Sequence, residues 1–164
     1  MNSLFKRISE YSDTWQIFQS EYEGKPISVR FREGLIEAGG HFDYPYQIGI
    51  ATQLLNSTTE GLTTNDEAEE LYKVEDALQL SLEVDDESVL SLIITTGGMR
   101  EFVFYASKWQ PEYFEEKVRK VNSQYNNRVL QFMMQEDKEW GTFKNFLPVN
   151  TKEDRDNKPL KSVA

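Results

Sequence analysis

The sequence predicts an α+β fold, because helical and strand patterns alternate along a chain of 164 residues. Two segments repeat apolar residues every three or four positions, which is the spacing of a helix face that packs on a core. Several shorter segments alternate apolar and polar residues, as strands with one buried face do. The two helical stripes are Leu71, Val74, Leu78 and Leu82, and Phe114, Val118, Val121 and Tyr125.

The N-terminal part predicts a short helix followed by a β-hairpin. Residues 3–11 are expected to be helical, and strands are expected over 14–19 and 27–32. The second strand alternates apolar residues with polar ones, which predicts that Arg30 and Arg32 lie on a solvated face.

Residues 46–134 give the order strand, helix, strand, strand, helix, strand. Thr64 or Asn65 can cap the first helix, and Pro111 suits the first turn of the second. This βαββαβ order is the ferredoxin-like pattern, an antiparallel sheet with two helices on one face. The strands are expected over residues 46–51, 89–95, 101–106 and 128–134.

The chain is expected to end in a short helix and a tail. Asp137 can cap a helix that carries Trp140 and Phe143, and these two rings are expected to hold it against the sheet. We interpret residues 1–148 as a single domain. Residues 149–164 are polar and charged, which predicts a disordered tail.

Composition excludes several classes of function. The chain has no cysteine, which excludes disulfides, thiolate zinc sites and a cysteine nucleophile. No apolar run approaches the roughly 18 residues that a membrane span requires, and no secretory signal is visible. We therefore expect a cytoplasmic protein without a cofactor, a metal site or a membrane partner.

The charge is concentrated in one acidic segment, residues 60–87. It holds eleven acids and one base, Lys73, so it carries the whole net charge of −10, while the remaining acids and bases cancel. Phosphate contacts need a cationic surface, so this balance argues against direct nucleic-acid binding. An acidic surface can instead attract a basic protein.

The second half of the chain resembles a known family. The residues that carry the resemblance are Arg100 to Tyr105, Asp137 to Phe143, Phe146-Leu147-Pro148 and, in the acidic helix, Val74 to Leu78. They resemble the bacterial domain of unknown function 695, over roughly residues 12–148. Members are also similar to the protein regulator B of ribonuclease E, which binds and inhibits its enzyme and has a ferredoxin-like fold. The resemblance implies that fold and favours a protein-binding role.

Candidate catalytic and cation-binding groups have simpler structural interpretations. His41, the one histidine, could act as a base beside Asp43, but we interpret it as a surface imidazole. Glu75 and Asp76 point about 100° apart on a helix and do not converge. The acids at 83–87 lack the spacing of a calcium loop and are interpreted as a solvated connector.

We therefore expect a non-enzymatic protein that regulates or inhibits a basic partner such as a nuclease, a toxin or a nucleic-acid-binding protein. Exposed aromatic residues would anchor the contact. The alternatives are a small hydrolase-like enzyme around His41 and a structural homo-oligomeric module, with a monomer and a dimer both left open. The acids expected to bind the partner are Asp66, Glu67, Glu69, Glu70, Glu75 and Asp76.

Overall fold

The computed structural model describes residues 7–38, 40–41 and 43–148. The expected tail over 149–164 and the first part of the expected N-terminal helix lie outside these residues. Six strands and three α-helices occur in the described ranges. They are β1 (Trp15–Tyr22), β2 (Lys25–Arg32), β3 (Tyr46–Gln53), α1 (Asn65–Leu82), β4 (Ser88–Thr96), β5 (Met99–Ala106), α2 (Pro111–Gln124), β6 (Gln131–Glu136) and α3 (Gly141–Asn145).

The strands form one six-stranded sheet in the order β1-β2-β4-β5-β3-β6. Every pairing between neighbours is antiparallel. The expected α+β class is confirmed. Two of the hairpin turns hold residues with positive φ, at Glu23-Gly24 and Gly97-Gly98. These conformations match the right-handed twist of the flanking strands, which explains the glycines.

The helices α1 and α2 pack side by side on one face of the sheet. The Thr64 hydroxyl accepts a hydrogen bond from the Glu67 amide and caps α1, and Pro111 begins α2 as expected. The predicted stripe of α1 is fully buried, from Leu71 to Leu82. Burying one such side chain contributes about 1.5–3 kcal/mol, so this interface is a principal source of stability. The stripes cover Ile48, Ile50, Phe102 and Phe104 on the sheet.

The opposite face of the sheet is covered by α3 and by two short 3-10 helices, Ile8–Glu10 and Glu33–Ile36. The Trp140 ring stacks on Tyr105 with 4.2 Å between ring centroids, and its Nε1 donates to the Tyr44 carbonyl. The Asp137 carboxylate accepts the amides of the first residues of α3. The expectation that Trp140 and Phe143 fix this helix to the sheet is confirmed.

Strand β4 contains a bulge between Leu90 and Leu92. An extra residue in one strand shifts its alternation. Accordingly, Val89 and Leu92 belong to the core on the α3 side, whereas Leu90 and Ile93 belong to the core beneath α1 and α2. The hydroxyl of Ser91, at the bulge, donates to the Val103 carbonyl, which satisfies it in the interior.

Some predicted boundaries and exposures were wrong. Strand β6 begins at Gln131 rather than at residue 128, because the preceding residues leave the sheet and place Arg128 inside the protein. Part of the expected loop 34–43 forms the second 3-10 helix. The expected N-terminal helix is, where it is described, only the 3-10 turn at Ile8–Glu10.

The solvated face predicted for β2 was also wrong. Arg32 is buried, and its guanidinium donates to the carbonyls of Tyr11 and Ser12. Arg30 is largely covered by α1. A polar residue in an alternating strand can therefore face another layer of the protein, where backbone or carboxylate oxygens replace water as its partners.

None of the described helices is long and apolar enough to cross a membrane.

Candidate functional site

The acids of α1 separate into an inward and an outward set. Glu67 and Glu75 are buried, with 4% and 6% of their surface exposed, and Glu70 is half-buried. Asp66, Glu69 and Asp76 are exposed. The structure thus brings only part of the predicted docking residues together on one open surface.

Glu67 serves as an internal acceptor. Its carboxylate accepts the amides of Leu55 and Asn56 at 2.6 and 2.8 Å, and it pairs with Arg128 at 2.7 Å. Burial acts to raise the pKa of Glu67, but these hydrogen bonds and the Arg128 charge outweigh it and lower the pKa below its usual value. This carboxylate therefore joins the loop after β3 to α1 and is not available to a partner.

Arg128 is the cation that sequence reasoning missed. Its side chain is 1% exposed and lies between Glu67 and Glu70, with a nitrogen-to-oxygen distance of 2.5 Å to Glu70. The residue lies 61 positions from Glu67, so local patterns do not link the two. The burial of Glu67 could have been predicted from the sequence. At about 100° per residue, Glu67 lies on the same side of the helix as Leu71, Val74 and Leu78.

Glu75 is held by Arg30 of β2. Two hydrogen bonds join the guanidinium to the carboxylate, at 2.8 and 3.3 Å. The guanidinium also lies 5.3 Å from the ring centroid of Trp15 and 5.2 Å from that of Tyr72. This bidentate pair between two aromatic rings ties α1 to the N-terminal hairpin. It also separates Glu75 from Asp76, so the two do not form an acid–base pair.

The outward set shares its surface with apolar side chains. Tyr72 and Leu80 of α1 are 48% and 81% exposed. At about 100° per residue, the positions 66, 69, 72, 73, 76 and 80 fall within an arc of roughly 120°. We call this surface the outward face of α1. It combines Asp66, Glu69 and Asp76 with one base, Lys73, and with Tyr72 and Leu80.

An open groove continues the outward face at the C-terminal end of α1. Its volume is about 580 Å³, and it is lined by Asp76, Gln79, Leu80, Glu83 and Val84. Val84 is 42% exposed, so Leu80 and Val84 place two aliphatic groups between acids. An apolar centre within a charged rim is the arrangement found at many protein-binding surfaces.

His41 lies in the interior of the protein. The prediction of a surface imidazole was wrong, because 2% of the residue is exposed and its ring makes edge contacts with Tyr11 and Tyr44. Its Nδ1 accepts the Asp43 amide at 3.3 Å. His41 lines neither this groove nor the two cavities of about 250 and 200 Å³ beside α1.

The acids that follow α1 have separate partners. The Glu83 carboxylate accepts the Leu90 amide, Asp86 pairs with Arg7, and Glu87 accepts the Tyr113 hydroxyl. Burial raises the pKa of Glu83 above its usual value. Within the described ranges no three carboxylate or imidazole groups converge as metal ligands would.

The aromatic residues Phe102, Phe104 and Tyr105 are fully buried and form part of the hydrophobic core.

Comparison with known proteins identifies the family. The profile of DUF695, described as a family of unknown function, matches residues 13–148, so the chain belongs to this family. Comparison with curated proteins gives no match. The further similarity to the regulator B of ribonuclease E, expected from the sequence, stays a prediction.

Proposed function

We propose that this member of the DUF695 family is a non-enzymatic regulator or inhibitor that docks on a basic protein through the outward face of α1. The observation that carries the proposal is the combination, on one helix surface, of exposed Leu80 and Tyr72 with acids that form no ion pair within the described residues. Charge alone steers an encounter, whereas affinity needs a buried apolar or aromatic contact. The outward face offers both.

The chemistry of the surface specifies the partner. Asp66, Glu69 and Asp76 match a cluster of Lys and Arg, and the groove beside Leu80 and Val84 matches an apolar side chain projecting from it. Nucleases, toxins and nucleic-acid-binding proteins present such cationic surfaces. The expected similarity of the family to an inhibitor of ribonuclease E supports the same class of partner.

We further propose that β3 to β6, with α1 and α2, form a ferredoxin-like unit to which β1 and β2 add a hairpin. The support is the order β4-β5-β3-β6 in the sheet, in which the first strand of the unit lies between the third and the fourth. The helices both pack on one face, as that fold requires. The hairpin then widens the sheet at the β4 edge of this unit.

The test compares two variants with the same change in charge. The first neutralises the outward face with Asp66→Asn, Glu69→Gln and Asp76→Asn, and the second neutralises exposed acids elsewhere with Glu21→Gln, Glu115→Gln and Glu139→Gln. Each is used to capture partners from a lysate of the source organism at low and moderate salt. We expect one basic protein to be retained by the wild type and the control and lost by the outward-face variant.

Association and dissociation rates with the purified partner, at several salt concentrations, then test the roles of the charged and the apolar residues. For the wild type we expect a strong salt dependence of the association rate, which the outward-face variant should reduce. Leu80→Ser should increase the dissociation rate at every salt concentration, since it removes an apolar anchor. Equal affinity and equal salt dependence for the outward-face and control variants would refute the proposal.

A further inference from the structure

A small cavity lies between the N-terminal hairpin and the first half of α1. Its volume is about 200 Å³. The sheet contributes Ser28, Thr95 and Arg100 to its lining, and α1 and the preceding loop contribute Tyr72 and Thr63. This is the region where the sheet extends past the apolar core beneath α1 and α2.

Arg100 in this cavity is a buried cation without an anionic partner. Only 7% of the residue is exposed. Its Nε donates to Thr95 Oγ1 at 2.9 Å, and its Nη1 is buried with no hydrogen-bond partner in the described part of the chain. Among the described residues no carboxylate lies within ion-pair distance of it, unlike Arg30 and Arg128.

Among the described residues, no charged group that surrounds the cavity forms an ion pair with Arg100. Arg30 also lines it, but its guanidinium is neutralised by the bidentate pair with Glu75. Burial, followed by repulsion from Arg30, lowers the pKa of Arg100 below its usual value, and the negative charges of Glu75 and Glu67 offset this only in part. A buried charge that makes no ion pair is costly, so its position near the start of β5 favours the binding of an anion.

We propose that this cavity binds a small monocarboxylic acid with an apolar tail, whose carboxylate pairs with Arg100. With Nε engaged by Thr95 and Nη1 enclosed by protein atoms, Nη2 is the donor left for the ligand, and a carboxylate oxygen can accept it. One cation that makes no ion pair matches a single negative charge. Ile17, Leu62 and Ile93 supply apolar wall for the rest of the ligand.

The wall of the cavity is held in place before any ligand arrives. The loop that carries Leu62 and Thr63 is fixed to the β4–β5 turn, since the Gly98 amide donates to the Gly61 carbonyl at 3.0 Å and the Leu54 amide donates to the Gly98 carbonyl at 2.8 Å. A Cβ at Gly61 would lie 2.9 Å from the Gly98 nitrogen, so only glycine permits this approach. A pre-formed site avoids much of the ordering cost of binding.

Binding is tested on the full chain with 3-methylbutanoate, its neutral amide and inorganic phosphate as probes, by titration calorimetry and backbone amide NMR shifts. We expect saturable shifts at Thr95 and Arg100 with 3-methylbutanoate and none with the amide. Arg100→Met should weaken binding by at least about tenfold, as loss of a charge-assisted hydrogen bond does. Arg119→Met, the same substitution at an exposed helix position, should bind like the wild type. Absence of carboxylate binding, or tighter binding of phosphate, would overturn the proposal.

Stability of the ligand-free protein separates a binding role from a structural role. If Arg100 is kept for a ligand, Arg100→Met removes a buried charge that makes no ion pair and should raise the melting temperature or leave it unchanged. If the guanidinium instead holds the fold together, the variant should melt several degrees below Arg119→Met or fail to fold, and the proposal is then wrong. Arg100→Lys keeps the charge but changes the position and number of the donors, and should bind with intermediate affinity.

Discussion

The inward and the outward acids of α1 differ in function although they belong to the same helix and the same acidic segment. Glu67 and Glu75 each meet an arginine from a distant part of the chain. Asp66, Glu69 and Asp76 meet solvent. The comparison teaches that the −10 net charge is not a uniform surface property. Part of it stabilises the fold by ion pairing, and only the remainder is available to a partner.

The largest effect should follow from removing the cation of the inward set. Arg128→Met leaves Glu67 buried beside Glu70 without a counter-charge, which should lower the free energy of unfolding by about 3–5 kcal/mol. Urea denaturation at neutral pH measures this. The exposed Arg119→Met should change stability by less than about 0.5 kcal/mol. Similar values for the two variants would show that the buried pair contributes nothing to the fold.

A smaller effect should depend on pH. Because the pKa of Glu67 is lower in the folded state than in the unfolded chain, the unfolded chain binds its proton first as pH falls. The stabilisation from Glu67 is therefore complete above about pH 5 and is lost as pH falls further, through the lowered folded-state pKa. Glu67→Gln should destabilise by about 1–3 kcal/mol at pH 7 and by less at lower pH.

The pH dependence is measured from unfolding curves of the wild type and Glu67→Gln between neutral and acidic pH. Glu69→Gln, an exposed acid on the same helix, serves as the matched control and should follow the wild type. A constant difference between wild type and Glu67→Gln at all pH values would contradict the assignment of a lowered pKa.

The smallest effect should come from the outward set. Asp66→Asn, Glu69→Gln and Asp76→Asn together should leave the free energy of unfolding within about 0.5 kcal/mol of the wild type, because solvated surface charges contribute little. Thermal and urea unfolding measure this directly. A loss above about 1 kcal/mol would mean that the outward face has a structural role, and the distinction between the two sets would fail.

Much of the fold followed from local pattern. The stripes of α1 and α2, the cap at Thr64, the turn at Gly97-Gly98 and the packing of Trp140 were predicted because each depends on neighbours in sequence or on a single large apolar group. The α+β class followed from the order of these elements. The start of β6 was misplaced because Val129 and Leu130 look like strand although the chain has not yet entered the sheet there.

The candidate site was less predictable because its charges are paired across the sheet. Nothing local indicates that Arg30 lies beneath Glu75, 45 positions away, or that Arg32 finds backbone carbonyls near the N-terminus. The burial of His41 depends on two tyrosines from separate segments. Two signals were available nevertheless: Glu67 lies within the apolar arc of its helix, and Arg100 begins a segment of otherwise core-forming residues.

The bulge in β4 also marks a boundary in the sheet. The pairing of β2 with β4 runs from Thr96 to Leu92 and ends there, whereas β5 pairs with β4 on both sides of the bulge. The N-terminal hairpin therefore pairs only with the half of β4 that follows the bulge. The pairings among the other four strands do not involve the hairpin. An insertion or deletion at Ser91 would reverse the faces of one half of β4 relative to the other. A change in the length of β4 at this position is therefore expected to disrupt the pairing of β2 with β4 or the packing of the hairpin on α1. The cavity between the hairpin and α1 would change with it.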